Sequence, residues 1–188
     1  AIEFANYLRR NGFEVPAPIR QVPFRHDEIE ITLWEFIEPH SEHIVSWSTI
    51  GSFVRRLHDI NPEEVAKFYP LPKAASFPWR NFDLLLSELG PTLNSNDCDI
   101  LLERWERLRP YFKTAQDIKV EPVGDRPVLC HGDIHPGNVI VSRTTGQPIL
   151  LDWDLLSVAP REWDHAALLT WATRWGGQAS TYADFALG

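Results

Sequence analysis

One segment of the chain constrains its fold more than any other: LCHGDIHPGNVIVSRTTGQPILLDWD, residues 129–154. A polar loop follows its first apolar run, and two further apolar runs, VIV and ILL, flank the turn-like TTGQ. Apolar runs separated by a turn predict a small β-hairpin. The hairpin returns the chain towards the loop, so polar residues from both ends of the segment should meet at one edge. These residues are His131, Asp133, His135, Asn138, Asp152 and Asp154.

This set of side chains is suited to phosphoryl transfer. The reaction needs a carboxylate that orients the attacking hydroxyl and accepts its proton, oxygen ligands for magnesium, and a rigid loop that holds these groups in line. Asp133, Asn138 and Asp152 supply such groups. A single loop aspartate is more often a turn former. The combination of these residues between strands favours a catalytic loop.

The residues that precede this segment predict a helix and a strand pair. Apolar residues at helical spacing predict a helix over Ile2–Arg10, with Gly12 where a helix commonly ends. A period of two over Glu28–Phe36 predicts a strand with one solvent-facing side. The stretch Ile19–Arg25 is the candidate hairpin partner of this strand.

The middle of the chain and its last part are predicted to be helical. Apolar residues follow helical spacing over Ile50–Leu57 and again over Leu101–Phe112. A proline-rich surface loop is expected at Tyr69–Trp79. A final helix is predicted over Asp164–Trp175, with Gly176-Gly177 after it. The eight tryptophans of the chain, including Trp105, Trp171 and Trp175, are interpreted as core and groove wall rather than as a stacking platform.

Charge and composition exclude several classes of partner. The formal charge of −8 disfavours nucleic acid and acidic membranes and favours a cationic or neutral substrate. No apolar run approaches the roughly 20 residues that a membrane helix needs. Cys98 and Cys130 lack metal-binding spacing and do not suggest a disulfide scaffold, so we expect a cytoplasmic protein. The sequence indicates no oligomeric state.

Two motifs carry a resemblance to a known family. HGDIHPGN resembles the catalytic loop of aminoglycoside phosphotransferases and choline kinases, which has the pattern His-x-Asp, four residues, Asn. LDWD resembles the metal-binding Asp-x-Asp motif of the same family. The resemblance implies an α+β, protein-kinase-like fold. It also implies a remnant of the N-terminal sheet lobe at 1–38 and a mostly helical C-terminal lobe at 39–188. The reaction implied is transfer of the γ-phosphoryl group of ATP or GTP, with Mg²⁺, to a hydroxyl of a small molecule.

The same resemblance implies roles for the residues of the two motifs. Asp133 corresponds to the catalytic base of the family, and Asn138 and Asp152 correspond to its magnesium ligands. Asp154 either assists a second ion or caps the following turn. His131 is expected to support the loop by hydrogen bonding. His135 is expected either to pack within the loop or to make an auxiliary contact near the site.

Further matches lie outside the two motifs. Asp164 in PREWDHA resembles the family aspartate that braces the catalytic loop, although it could also be a simple N-cap. The segment SFVRRLHDI resembles a helix that ends in Leu-His in many relatives. Glu35 and Ile37 fall where relatives bind adenine through backbone groups. Glu3 matches the glutamate that pairs with a phosphate-binding lysine.

Some family features are not found in the sequence. No glycine-rich loop and no strand lysine precede Glu3, and the chain starts at Ala1 without any methionine. We therefore expect a chain that is incomplete at both ends, lacking part of the nucleotide site and part of the acceptor wall, and incomplete for activity as it stands.

Two alternative functions remain open at this point. A kinase-like binding module without catalysis would fit the missing lysine, although the retained polar set of residues 133–152 speaks against it. Gly132-Asp133-Ile134-His135 also resembles the Gly-Asp-x-His motif of binuclear metallophosphoesterases, in which Asp and His bind metal. That class needs a second Gly-Asp motif further along the chain and a Gly-Asn-His-Glu motif, and neither follows Gly132-Asp133 in the sequence.

Overall fold

The structure is a computed structural model, and it describes residues 1–74, 82–116 and 126–188. The chain divides into two compact units, of which the first comprises Ala1–Leu71 with Pro127–Gly188 and the second Pro72–Arg126. The predicted lobe boundary after residue 38 falls within the first unit, and it remains a prediction.

The first unit contains most of the secondary structure. Its helices are α1 Ile2–Arg10, α2 Trp47–His58, α3 Pro62–Val65, α6 Trp163–Leu169, α7 Trp171–Trp175 and α8 Ser180–Leu187. Its strands are β1 Phe24–His26, β2 Ile29–Ile31, β3 Val128–Cys130, β4 Val139–Val141, β5 Pro148–Leu150 and β6 Ser157–Ala159. The second unit contains α4 Phe82–Leu89 and α5 Ser95–Gln116.

Helix α1 has the bounds that its apolar spacing predicts. Ile2, Phe4, Ala5 and Leu8 are buried, so one face of the helix packs into the core. The backbone N–H of Phe13 donates to the carbonyl of Leu8 at 3.0 Å, which closes the helix after its last turn. The predicted helix is confirmed.

The predicted strand pair exists, but it is shorter and more exposed than expected. β1 and β2 pair antiparallel, with Phe24 opposite Ile31 and His26 opposite Ile29, and every residue of both strands is exposed. The predicted strand over 28–36 ends early because the chain continues instead into an isolated bridge between Pro18 and Trp34. The expectation of one buried face is wrong, because no described layer covers either side of this ribbon.

Helix α2 forms the centre of the first unit, and its prediction is confirmed. Ser46 caps its N-terminus by accepting a hydrogen bond from the backbone N–H of Thr49. Ile50, Val54 and Leu57, at helical spacing, are at most 1% exposed. Helix α8, which the sequence analysis did not predict, packs against α2.

Two small antiparallel pairs place the polar segment. β4 and β5 form the predicted hairpin, with Val139 opposite Leu150. β3 pairs with β6, a strand that was not predicted, and Cys130 lies opposite Ser157. As a consequence, the loop after β3 and the segment after β5 lie side by side.

The predicted final helix is divided into α6 and α7 at Thr170. The hydroxyl of Thr170 donates to the carbonyls of Ala166 and Ala167 at 3.0 and 3.3 Å. Such bonds compete with the helical backbone pattern and interrupt or bend helices. The predicted stop is confirmed, since Gly176 ends α7 in a left-handed conformation.

The second unit is helical in its described part. Helix α5 covers the stretch for which helical spacing was predicted, and the indole N–H of Trp105 donates to the Asp83 carboxylate at 2.7 Å. The predicted proline-rich loop at 69–79 lies outside the described residues from position 75 onward. Within the described ranges, no helix has the length and apolar character required to cross a membrane.

Candidate active site

The loop after β3 is anchored by one buried carboxylate, that of Asp164. Asp164, at the start of α6, is 1% exposed and accepts hydrogen bonds from the backbone N–H groups of His131 and Gly132 at 3.1 and 2.7 Å. The imidazole Nε2 of His58, on α2, lies 2.9 Å from the same carboxylate. A carboxylate with several donors is the arrangement in which a buried charge is tolerated. Asp164 therefore ties the loop to two helices.

His131 links the loop to the segment after β5. Its Nδ1 accepts the backbone N–H of Asp133 at 3.3 Å, so its proton is on Nε2, which lies 2.9 Å from the Leu151 carbonyl. Burial lowers the pKa of His131, although the nearby carboxylates, Asp164 foremost, oppose this effect. The ring is thus held neutral, as a connector between two backbone segments.

Asn138 orients Asp133. Its amide Nδ2 donates to the backbone carbonyl of Asp133 at 2.9 Å and to the carboxylate Oδ2 at 3.2 Å. The backbone of Asn138 also accepts the N–H of Leu151 at 2.8 Å. Because its amide nitrogen is engaged, its Oδ1 is the atom left for a cation.

Gly132 is required by the close approach of two segments. Its φ is +91°, and a Cβ there would lie 2.5 Å from the carbonyl oxygen of Leu155. Any other residue would be strained in this backbone conformation and would also collide with that oxygen. The loop that carries Asp133 therefore packs directly against the segment that carries Asp152 and Asp154.

Asp152 and Asp154 line a cavity of about 340 Å³, named here the Asp152 cavity. Asp152 has a φ of +60°, a left-handed conformation that few residues other than glycine adopt and that is found at functional sites. Burial raises the pKa of Tyr69 in the cavity wall, and the charge of Asp154 adds to this shift. The other walls are largely apolar and come from α1 and from residues 15–35.

The donor set fits magnesium. The carboxylates of Asp152 and Asp154 and the amide Oδ1 of Asn138 are oxygen donors, which hard cations such as Mg²⁺ prefer. Both carboxylates face the same cavity, and Asn138 is joined to Leu151, the residue before Asp152, by a backbone hydrogen bond.

The three residues predicted to contact the nucleotide are not brought together. Glu35 lines the Asp152 cavity, and its backbone N–H donates to the carbonyl of Ala17 at 2.8 Å. Ile37 and the exposed Glu3 do not line this cavity. Their roles in nucleotide binding remain predictions. Phe4 and Tyr69 are wall residues that were not predicted, although Phe4 belongs to the predicted apolar face of α1.

A second cavity, of about 360 Å³, opens at Asp133 and is named here the Asp133 cavity. His135 lies between this carboxylate and Trp171: its Nε2 is 3.5 Å from Oδ2 of Asp133, and its ring is stacked on the indole at 5.5 Å between centroids and 7° between planes. Its Nδ1 accepts the N–H of Gly137, so its proton is on Nε2. Trp171 and Trp175 are thus wall residues, and the latter is 66% exposed.

One other group of potential metal ligands lies behind the loop. Atoms of His58, Cys130 and Asp164 lie within 4.8 Å of one another. Burial strongly raises the pKa of the Cys130 thiol, which lies 3.5 Å from the carbonyl of Pro160. Burial thus favours the protonated thiol, which faces the backbone carbonyls of Ala159 and Pro160. This group is a hydrogen-bonded part of the loop support.

Comparisons with known proteins agree with this geometry. A family model described as "Phosphotransferase enzyme family" matches residues 1–187. A spectinomycin phosphotransferase in complex with ADP and spectinomycin has a TM-score of 0.68 and 20% identity, over 100% of this chain and 63% of that chain. Curated protein sequences show no match.

Two further solved structures show the same likeness. An aminoglycoside phosphotransferase from Alicyclobacillus acidocaldarius has a TM-score of 0.57 and 17% identity, over 98% of this chain and 61% of that chain. A macrolide 2′-phosphotransferase type I has a TM-score of 0.56 and 18% identity, over 97% and 60%. The chain spans less than two thirds of the length of these relatives. Their structural similarity confirms the predicted α+β, kinase-like fold class. The chain belongs to the phosphotransferase enzyme family.

Proposed function

We propose that this chain carries the catalytic centre of a small-molecule kinase that transfers the γ-phosphoryl group of ATP or GTP to a hydroxyl, with Asp133 as the base. The observation that carries the proposal is the position of Asn138. Its amide nitrogen holds the Asp133 carboxylate, and its backbone holds the residue before Asp152. The candidate base and the candidate metal ligands are therefore parts of one hydrogen-bonded unit.

The proposed step uses both cavities at once, with the nucleotide in the Asp152 cavity and the acceptor in the Asp133 cavity. The acceptor hydroxyl binds at Asp133, whose side chain is 38% exposed, and gives its proton to the carboxylate. The hydroxyl oxygen forms a bond to the γ-phosphorus, the bond from that phosphorus to the β–γ bridging oxygen breaks, and the nucleoside diphosphate leaves. Asn138 and His135 keep the carboxylate oriented for the proton transfer.

Magnesium fits the oxygen donors of Asn138, Asp152 and Asp154. The chemistry that this ion supplies when bound is neutralisation of charge on the transferred phosphates. The nucleotide donor is proposed because solved relatives were obtained with ADP, with GDP and with ATP and streptomycin. A cytoplasmic setting is proposed because Cys98 and Cys130 are both free thiols, as reducing compartments keep them.

The test uses the protein as it occurs naturally. Nucleotide consumption is measured against a panel of hydroxyl compounds, and nucleotide binding is measured separately by calorimetry. Asp133→Asn should abolish transfer and leave nucleotide binding within about twofold, since removal of a base acts on chemistry rather than on ground-state binding. Asp184→Asn, at an exposed position on α8, is the matched control and should retain both.

Three results would contradict the proposal in different ways. Unchanged turnover in Asp133→Asn would place the base elsewhere. Loss of nucleotide binding would assign Asp133 to the metal or to the fold. Nucleotide binding without turnover on any hydroxyl compound would favour the kinase-like binding module.

A further inference from the structure

The Asp133 cavity has an unusual balance of charges for an acidic protein. Within the described part of the chain, its lining contains one carboxylate, Asp133, and one guanidinium, Arg174. The remaining lining residues are His135, Ala167, Trp171 and Trp175. Its volume of about 360 Å³ falls in the range of small-molecule sites. The formal charge of the chain is −8, but the charges of these two lining residues cancel each other.

Trp171 forms a rigid flat wall of this cavity. One face of its indole is stacked on His135, with 7° between the ring planes. On another side, a Cβ on Gly177 would overlap the indole atoms Cδ1 and Nε1, so only glycine allows this approach of backbone and ring. A ring that is held from two sides has little side-chain freedom left to lose when a ligand binds against its remaining surface.

The charge of Arg174 opposes a cationic ligand. Its guanidinium carbon lies 5.6 Å from the centroid of Trp175, a position from which a cation is attracted to the face of the ring. One face of Trp175 is thus already paired with a cation of the protein. A cationic acceptor would find Asp133 as its single described carboxylate partner, and the proposed reaction needs that group for the hydroxyl.

We propose, on the basis of the function proposed above, that the acceptor is a hydroxyl compound with a flat or apolar face and without positive charge. The flat face lies along Trp171 and places the hydroxyl at Asp133. An anionic substituent is compatible with the site, because it can pair with Arg174. The formal charge of the chain favoured a cationic or a neutral substrate, and the lining of the Asp133 cavity argues against the cationic one.

The test is equilibrium binding to the full-length protein, so that it does not depend on turnover. Three probes share one sugar: phenyl β-glucopyranoside, its cationic 2-amino-2-deoxy analogue, and methyl β-glucopyranoside, which lacks the aromatic face. We expect the phenyl compound to bind about tenfold more tightly than either of the others, the size of effect that one ring contact or one unfavourable charge produces. A preference for the aminated probe, or no binding of the phenyl compound at millimolar concentration, would refute the proposal.

Variants connect the preference to the named residues. Trp171→Ala should weaken binding of the phenyl probe about tenfold, and Trp171→Phe, which keeps a flat ring, should restore most of it. Gly177→Ala should act like Trp171→Ala, because it displaces the indole; thermal unfolding shows whether each variant is folded. If both folded variants bind the phenyl probe normally, Trp171 does not recognise the acceptor.

Charge variants complete the design. Arg174→Gln should reduce the ratio of the dissociation constants of the aminated and phenyl probes about threefold or more, because one nearby positive charge is lost. Arg104→Gln, an exposed arginine of α5 in the second unit, is the control and should leave it unchanged. If the binding preference holds but no transfer occurs, the proposed function fails and this inference stands. If transfer occurs to cationic acceptors only, the function stands and this inference fails.

Discussion

The replacement Asp164→Ala should destabilise the protein more than the loss of any surface charge. The buried carboxylate accepts two backbone N–H groups and faces the imidazole of His58. Its removal leaves two amides without their partner in the interior, each at a cost of about 1–3 kcal/mol, and leaves His58 unpaired. The sum agrees with the about 3–5 kcal/mol known for breaking a buried pair on one side.

This loss is a large share of the roughly 5–15 kcal/mol that a domain has in total. At about 2–4 °C per kcal/mol for a chain of this size, the melting temperature should fall by roughly 6–20 °C. The assay is denaturant and thermal unfolding of Asp164→Ala and Asp164→Asn. The asparagine variant keeps one oxygen acceptor and should lose less. Asp184→Ala on α8 is the exposed control, and it should stay within about 0.5 kcal/mol of the parent protein.

Two outcomes would refute this reasoning. If Asp164→Ala unfolded like the control, the loop would not depend on the carboxylate for its backbone hydrogen bonds. If Asp164→Asn lost as much stability as the alanine variant, the negative charge itself, rather than the number of accepted hydrogen bonds, would carry the effect.

Three further predictions concern other buried or stacked groups. Because burial lowers the pKa of His131 in the folded state, its contribution to stability is complete above the unfolded pKa of about 6.5 and is lost as pH falls below it. Unfolding free energies between pH 7 and 5 should therefore decrease, less steeply in His131→Gln, with His165, whose pKa burial also lowers, adding to the remaining slope. His135→Phe keeps the stack but removes the N–H that faces the carboxylate of Asp133, the proposed base, so kcat should fall about 10- to 100-fold at similar KM. His135→Gln should recover part of this loss, and an equal loss in both variants would contradict this role. Iodoacetamide at neutral pH should modify Cys98 in the native protein and spare Cys130, whose burial raises its pKa; peptide mass mapping checks this.

The candidate catalytic segment could be predicted from the sequence because its geometry is local. Asn138 and Asp133 are five residues apart in one loop, and the β4–β5 hairpin needs only one turn to bring Asp152 back. Short-range turn chemistry and apolar runs are enough to predict such an arrangement. The kinase-like fold followed from the same motifs.

The walls of both cavities could not be predicted in this way, because they depend on contacts between distant parts of the chain. Trp171, which lines the Asp133 cavity, follows directly after the break at Thr170 in the predicted last helix, and the periodicity of the two halves does not show this break. The exposure of Ile29 and Ile31 was also missed. Alternation predicts two faces of a strand, but whether anything covers either face is a tertiary property.

The contact between Gly132 and the Leu155 carbonyl makes the two motif segments interlocking parts rather than interchangeable modules. A chimaera that takes the loop from one relative and the Asp-x-Asp segment from another would have to reproduce this backbone approach at the same position. Engineering by segment exchange should therefore transplant the stretch 128–156 as one block, with β3, the hairpin and the residues up to Leu156 moved together. Changes in acceptor preference are better introduced in α7, outside that block.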